Sequence, residues 1–160
     1  MESSLSPLDL SGLSPPPDVF IAAALLVTSD GRYLFQLRDD KPGLPLRNHW
    51  ALFGGEVEKG EDGRAAIIRE IEEELTYKAR ECTWFHEAIY VLPRHHRRVV
   101  RKAFFVIPVT PEEVGTMIQC EGADKRLMTL AELLTLPNIA PWDLSVVLLH
   151  QRERIIFPAE

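Results

Sequence analysis

A pair of glycines in front of an acidic amphipathic helix constrains the fold of this 160-residue chain more than any other feature. The pair is Gly54-Gly55, and residues 62–76 repeat apolar side chains at helical spacing. Asp62 is suited to capping the first turn of that helix. Because glycine permits unusual backbone angles and close approach, we expect the glycine turn to bring backbone carbonyl groups against a ligand.

Three glutamates share one edge of the predicted helix. Glu70, Glu73 and Glu74 lie within an arc of about 100° beside the apolar face, whereas Glu72 points elsewhere. Neighbouring like charges repel by about 0.2–0.5 kcal/mol per pair in an exposed helix. One interpretation is a solvated acidic face. The glycine turn favours a second interpretation, in which the glutamates bind hard divalent cations such as Mg²⁺. These cations prefer carboxylates, water and substrate phosphates as ligands.

These residues resemble the Nudix box, Gx5Ex7REUxEExGU, in which U is a bulky aliphatic residue. The corresponding stretch is Gly55-x5-Glu61-x7-Arg69-Glu70-Ile71-x-Glu73-Glu74-x-Thr76-Tyr77. It departs from the pattern at its last two positions, where Thr76 replaces the glycine and Tyr77 replaces an aliphatic residue. The glycine ordinarily ends the helix and holds no ligand, so its replacement concerns the helix terminus more than the chemistry.

The resemblance covers about residues 19–155 and implies an α/β fold, the Nudix α/β/α sandwich with a mixed β-sheet, in a domain of residues 19–160. It also implies that Glu70, Glu73 and Glu74 ligate Mg²⁺ or Mn²⁺ with help from the Gly55 carbonyl. Arg69 and Glu61 would form a supporting ion pair that orients the helix.

A further glutamate outside the box serves as a ligand or base in many members of this family. By that resemblance we select Glu121, which precedes Gly122 in a stretch similar to the MutT type. Glu112 and Glu113 are alternatives, and Glu121 could instead cap a turn.

Five residues are candidates for substrate binding by the same resemblance. Arg38 ends the second predicted strand and could reach substrate phosphates, and Trp50 could stack on a base. Gly54 and Gly55 offer backbone groups, and Asp143 occupies a region that reads the nucleobase in some relatives. The other interpretations are a surface arginine for Arg38 and a helix cap for Asp143.

The implied reaction is Mg²⁺-dependent hydrolysis of a nucleoside diphosphate linked to another moiety. Two features, the segment around Glu121 and the residue Arg38, favour a MutT-type (d)NTP pyrophosphohydrolase. Such an enzyme releases a monophosphate and pyrophosphate. Hydrolysis of ADP-ribose or a nucleotide sugar remains open, and so does a nucleotide-binding sensor that has lost catalysis. The basic run at residues 94–98 gives slight support to an RNA-cap or dinucleoside polyphosphate substrate, although a solvated hairpin tip explains it better.

Charge and composition restrict the classes of molecule that the protein is expected to bind. Asp and Glu outnumber Lys and Arg by 24 to 18, a net charge of −6, which argues against DNA or RNA as the main partner and for a small nucleotide. A homodimer is compatible with the sequence. The longest apolar run, Val19–Val27, is about half of the roughly 20 residues that cross a bilayer. Two separated cysteines, interpreted as buried fillers, fit a cytoplasmic protein.

The remaining chain predicts mixed strands and helices. Residues 1–18 are rich in Ser and Pro and should form a flexible segment. We predict strands at 19–28, 33–38, 83–92 and 99–109, and helices at 130–134 and about 142–154. Residues 39–48 and 111–122 are predicted as loops.

Overall fold

The computed structural model describes residues 16–92 and 98–158 of the chain. Within them a single mixed sheet is formed by β1 Val19–Val27, β2 Tyr33–Leu37, β3 Trp50–Ala51, β4 Phe53–Glu56, β5 Thr83–Leu92, β6 Arg98–Pro108 and β7 Asp124–Met128. The helices are α1 Gly63–Leu75, α2 Pro111–Thr116, α3 Leu130–Thr135 and α4 Pro141–Ile156.

The sheet is built around β1. Its main strand order is β3-β2-β1-β6-β5, with β4 also pairing β1 and β7 also pairing β2. β1 and β6 run parallel, from Val19 opposite Val100 to Val27 opposite Pro108, and the other pairs are antiparallel. A parallel pair requires a long crossover, and here α1 and β5 lie in the chain between the two strands.

Helices cover both faces of the sheet, so alternate residues of β1 enter two different cores. Ala22, Ala24 and Leu26 pack on the α1 side with Ile67 and Ile71. Ala23 and Leu25 pack on the α4 side, with Val146 and Val147. Burial of both faces explains why β1 is a continuous apolar run. The predicted α/β/α sandwich with a mixed sheet is confirmed.

Helix α1 has the start that the sequence predicts and an unusual end. The Asp62 carboxylate caps the N-terminus by accepting a hydrogen bond from the Ala65 amide at 2.7 Å. Thr76 takes the left-handed conformation at the C-cap, with φ of 52°, and its amide donates to the Glu72 carbonyl at 2.9 Å. The helix therefore ends where the family pattern places its glycine, at the cost of a strained threonine.

Four expectations were wrong. Gly54 and Gly55, expected to form a turn, lie within strand β4 and pair with Ala23 and Ala22 of β1. Residues 111–122, predicted as a loop, contain the short helix α2, which is held by a capping box between Thr110 and Glu113. Strand β7 was not predicted, because its polar sequence becomes a strand only by pairing with β2. Cys82 is buried as expected, but Cys120 is exposed.

Some sequence features lie outside the described residues. They are most of the Ser/Pro-rich segment, at residues 1–15, and most of the basic run, at residues 94–97. In the part of the chain that is described, no helix combines the length and the apolar character that crossing a membrane requires.

Candidate active site

A cavity of about 370 Å³ opens beside the glycine pair, on the sheet face that α4 covers. Its lining includes glutamates, an ion pair and two aromatic rings. The cavity brings together these predicted site residues: Arg38, Gly54, Gly55, Glu70, Glu74, Glu121 and Asp143. Among the described residues, Trp50, Glu61, Arg69 and Glu73 do not line it.

The glycine pair allows α1 to approach β4. Gly54 has a φ of 139°, and a Cβ there would lie 2.1 Å from the Ala22 carbonyl oxygen on β1. A Cβ on Gly55 would lie 2.4 Å from the Glu70 carboxyl carbon. Gly54 is therefore needed for strand pairing, whereas Gly55 leaves the space that the Glu70 carboxylate occupies.

Glu74 is the most buried glutamate of the cavity, with 6% of the residue exposed. Its Oε2 accepts a hydrogen bond from the Gly54 amide at 3.1 Å. Burial raises the pKa of this carboxyl to about 8, and the nearby charges of Glu70 and Glu121 add to the effect. A divalent cation beside Glu74 would favour its ionised form.

Arg69 ties the acidic edge of α1 to the preceding loop. Its Nε and Nη2 each lie 3.0 Å from a different carboxylate oxygen of Glu61, a bidentate ion pair. Its Nη1 lies 2.7 Å from Glu70 Oε1 and 3.3 Å from Glu73 Oε2. The hydrogen bond with Arg69 lowers the pKa of Glu61. The ion pair predicted between Arg69 and Glu61 is present.

The acids match a hard divalent ion in chemistry, although their side chains are turned to protein partners. Among residues 16–92 and 98–158, no three His, Cys, Asp or Glu side chains are grouped closely enough to hold a metal ion. Glu70 and Glu73 contact Arg69, and Glu74 accepts from Gly54. The donor set is nonetheless oxygen only, which is the ligand chemistry that Mg²⁺ and Mn²⁺ prefer.

Glu121 reaches the cavity because its loop is fastened to the end of α1. The Cys120 amide donates to the Glu74 carbonyl at 2.8 Å, and the Ala123 amide donates to the Leu37 carbonyl at 2.8 Å. Of the glutamates considered outside the box, Glu121 lines the cavity, whereas Glu113 caps α2. This placement favours Glu121 over its alternatives.

The candidate substrate-binding residues differ in whether their side chains reach the cavity. Arg38 lines the cavity and donates from Nε to the Pro45 carbonyl at 3.1 Å. Trp50 is only 5% exposed and packs in the α4-side core, with the Arg126 guanidinium 5.2 Å from its ring centroid on one side. The burial of Trp50 gives no support to the prediction that its ring stacks on a base.

Asp143 lines the same cavity beside Leu52, which lies two residues before the glycine that contacts Glu74. Its Oδ2 accepts from the Leu52 amide at 2.9 Å, and its Oδ1 binds the Lys102 ammonium group. Tyr90 and Trp142 also line the cavity, with their rings 5.9 Å apart.

The sequence interpretation did not include Lys102 or Tyr90. Arg98 also lines the cavity, although the sequence interpretation placed it only in the basic run. The signal available for Lys102 and Arg98 was a charged side chain on the cavity-facing positions of a largely apolar strand.

A comparison with protein-family profiles matches residues 19–149 to the NUDIX domain. The chain belongs to the Nudix family. Nudix hydrolases use a divalent metal ion and act on phosphoanhydride bonds of small nucleotide substrates, and this chain is a pyrophosphohydrolase of that class. No curated protein sequence gives a significant match.

Solved structures share the Nudix fold at low sequence identity. The MutT protein from Methanosarcina mazei Go1 is 18% identical with a TM-score of 0.73, covering 88% of this chain and 97% of its own. The ORF135 protein from E. coli is 24% identical with a TM-score of 0.69, covering 89% and 94%. The NUDIX domain of NrtR from Shewanella oneidensis, complexed with ADP ribose, is 17% identical with a TM-score of 0.69, covering 91% and 96%.

Proposed function

We propose that this Nudix protein is a Mg²⁺-dependent, MutT-type pyrophosphohydrolase that cleaves a (d)NTP to a monophosphate and pyrophosphate. The observation that carries the proposal is the composition of the cavity. Four glutamates and the glycine pair line it, together with the Lys102–Asp143 ion pair and the rings of Tyr90 and Trp142. Such a cavity suits a ligand with a polyphosphate at one end and a planar base at the other.

The glutamates form the proposed metal and phosphate site. Glu70, Glu74, Glu121 and the Gly55 carbonyl would hold the ion. The Glu73 carboxylate, which is exposed and contacts Arg69, would join them by turning toward the ion. When bound, Mg²⁺ or Mn²⁺ neutralises phosphate charge and makes water a better nucleophile.

Side chains of the protein itself hold the metal ligands and the substrate in position. The Arg69–Glu61 ion pair holds the acidic edge of α1 against the loop, and the Gly54 amide orients Glu74. Arg38, at the mouth of the cavity, would bind substrate phosphate by a charge-assisted hydrogen bond. Glu121 is the proposed base that takes up the proton of the attacking water.

The direct test is a turnover assay with the full chain and Mg²⁺ on the dNTPs, ADP-ribose and several nucleotide sugars, identifying each product. We expect a dNTP to give its monophosphate and pyrophosphate. Preferred cleavage of ADP-ribose or a nucleotide sugar would replace the proposed substrate. Tight, metal-dependent binding without turnover would identify a sensor instead.

Paired variants on one helix test the metal site. Glu70→Gln and Glu74→Gln should each lower kcat by about 100-fold or more, because each removes a charged oxygen ligand. Glu72→Gln is the matched control, since Glu72 faces away and lies 3.3 Å from Lys78. Equal activity of all three variants would contradict the assignment.

A further inference from the structure

The loop between α2 and β7 carries Glu121, and its backbone is bound to the end of α1. The Ile118 amide donates to the Leu75 carbonyl at 3.2 Å, and the Cys120 amide donates to the Glu74 carbonyl at 2.8 Å. The last carbonyl groups of a helix have no partner within that helix. The loop therefore completes the last turn of α1, and this contact fixes the first half of the loop.

Gln119 holds the second half of the loop with its side chain. Its Nε2 donates to the Glu121 carbonyl at 2.7 Å and to the Asp124 carbonyl at 3.1 Å. A carboxamide nitrogen carries two N–H donors, so one side chain can satisfy both carbonyl groups. These carbonyl groups lie before and after Gly122-Ala123, so Gln119 holds together the backbone turn that directly follows Glu121.

Gly122 allows this turn to be tight. It has a φ of 85°, and a Cβ there would lie 2.8 Å from Gln119 Nε2 and 2.9 Å from Gln36 Oε1. Gln36 is a residue of β2 that is only 4% exposed. The backbone at Gly122 is therefore enclosed between two glutamine side chains, one from the loop and one from the sheet, in a conformation that favours glycine.

The carboxylate of Glu121 is held differently from those of the other proposed ligands. Glu74 accepts a hydrogen bond from the Gly54 amide, and Glu70 binds Arg69. Glu121 lines the cavity, but none of the hydrogen bonds and ion pairs among the described residues involves its carboxylate. Its position is therefore set by the backbone of the loop rather than by contacts of the carboxylate itself.

We propose that Gln119 is a positioning residue, which keeps the Glu121 carboxylate at the metal site by fixing the backbone turn that follows it. This inference rests on the proposed function, in which Glu121 is a metal ligand and the base. Gln119 does not line the cavity, so it acts through Glu121. Removal of its side chain should leave Glu121 present but displaced, and a displacement of about 1 Å is costly to catalysis.

Titration of the full chain with Mn²⁺ alone, followed by calorimetry without nucleotide, tests this role. Gln119→Leu should weaken Mn²⁺ binding by about 10-fold, as the loss of a residue that supports a metal ligand typically does. In a Glu121→Gln background, Gln119→Leu should weaken it no further, because two residues that act through one carboxylate are not additive. Wild-type affinity in Gln119→Leu, or the same loss in both backgrounds, would overturn the proposal.

Two further variants separate position from charge and from the general loss of a glutamine. Gln119→Glu keeps nearly the same size, removes the N–H donors and adds a negative charge, which by itself favours cation binding. Weaker Mn²⁺ binding in this variant supports positioning, whereas tighter binding would contradict it. Gln151→Leu is the matched control, since Gln151 Nε2 donates to the Gly31 carbonyl at 3.0 Å outside the cavity lining, and it should bind Mn²⁺ like the wild type.

Kinetics separate this inference from the proposed function. With the nucleotide that the wild-type chain hydrolyses best, Gln119→Leu should lower kcat by about 10-fold and leave KM within about twofold, because a displaced Glu121 affects the reaction more than substrate binding. A raised KM at unchanged kcat would assign Gln119 to substrate binding instead. If the wild-type chain hydrolyses no nucleotide of the panel, the proposed function fails, and the Mn²⁺ titrations still decide the role of Gln119.

Discussion

At the scale of single residues, the left-handed threonine at the end of α1 is a local conflict between sequence and backbone. A β-branched side chain is disfavoured at positive φ, yet Thr76 adopts 52°. Its hydroxyl oxygen accepts a hydrogen bond from the Ile118 amide at 3.3 Å, and this contact offsets part of the strain. The backbone thus keeps the helix end that glycine provides in the family pattern.

Replacing Thr76 by glycine should stabilise the protein. Relief of strain at positive φ exceeds the greater unfolded-state freedom of glycine and the lost hydroxyl contact, and we expect a net gain of about 0.5–1 kcal/mol. Thermal unfolding would measure it. Thr76→Asn, which tolerates this conformation while keeping a polar side chain, should give a smaller gain, and a lower Tm for Thr76→Gly would contradict the strain argument.

The two adjacent glycines should respond differently to alanine. Gly54→Ala places a methyl group against the β1 backbone and should destabilise the fold by several kcal/mol. Gly55→Ala instead meets the flexible end of Glu70, so we expect nearly normal Tm with activity reduced about 10-fold or more. Circular dichroism melts beside kinetics would separate the two effects, and similar Tm losses would show that Gly55 is structural.

At the scale of secondary-structure elements, a buried polar contact joins α4 to β2. The Tyr33 hydroxyl lies 2.7 Å from His150 Nδ1, and the His150 ring packs edge-on against Phe85, with 5.0 Å between centroids. Burial, and then the nearby Arg154 charge, lowers the pKa of His150 to about 4. Neutral imidazole is therefore part of the packed structure.

The buried contact of His150 with Tyr33 predicts that the folded protein becomes less stable as the pH falls. Between about pH 6.5 and 4 the unfolded chain binds a proton at His150 that the folded chain does not, so the free energy of unfolding falls as the pH falls. We expect His150 to account for about 1–2 kcal/mol of that loss. Urea unfolding at pH 7 and pH 4.5 should show a smaller pH dependence in His150→Gln; the same dependence as wild type would contradict the assignment.

Local sequence patterns predicted most of the strands and helices. The remaining ones depend on pairing between distant parts of the chain. Residues 62–76 and β1 show clear periodicity or apolar runs, which the structure confirms as α1 and the central strand. β7 has no such pattern, because Asp124, Lys125 and Arg126 are held in a strand by backbone pairing to β2. Helix α2 is too short for periodicity, although its Thr110–Glu113 capping box was readable.

At the scale of the whole molecule, the cavity joins parts of the chain that sequence motifs treat separately. The box motif identified Glu70, Glu74 and Gly55, which lie close together in the chain. The cavity also includes residues of β5, β6 and α4, and neither Lys102 nor Tyr90 belongs to a spacing motif. Tertiary pairing brings these residues to the cavity, so the sequence predicted its glutamates and glycines better than the rest of its lining.

Metal binding should stabilise the entire fold, because the proposed ligands converge only in the native state. At about 100-fold excess of Mg²⁺ over its Kd, the expected gain is about 2.7 kcal/mol, or a rise in Tm of about 5–10 °C. EDTA should reverse the shift. Glu74→Gln should greatly reduce it while Glu72→Gln preserves it, and an unchanged shift in Glu74→Gln would remove Glu74 from the ligand set.

The parallel pairing of β1 with β6 has a consequence for biosynthesis. Val19 is aligned with Val100, so during translation the central strand emerges about 80 residues before the partner that covers its open edge. At typical elongation rates that interval lasts about 4–16 seconds. For that time the nascent chain carries an apolar strand with an unpaired edge, which makes the ribosome-bound intermediate the stage most exposed to misassociation.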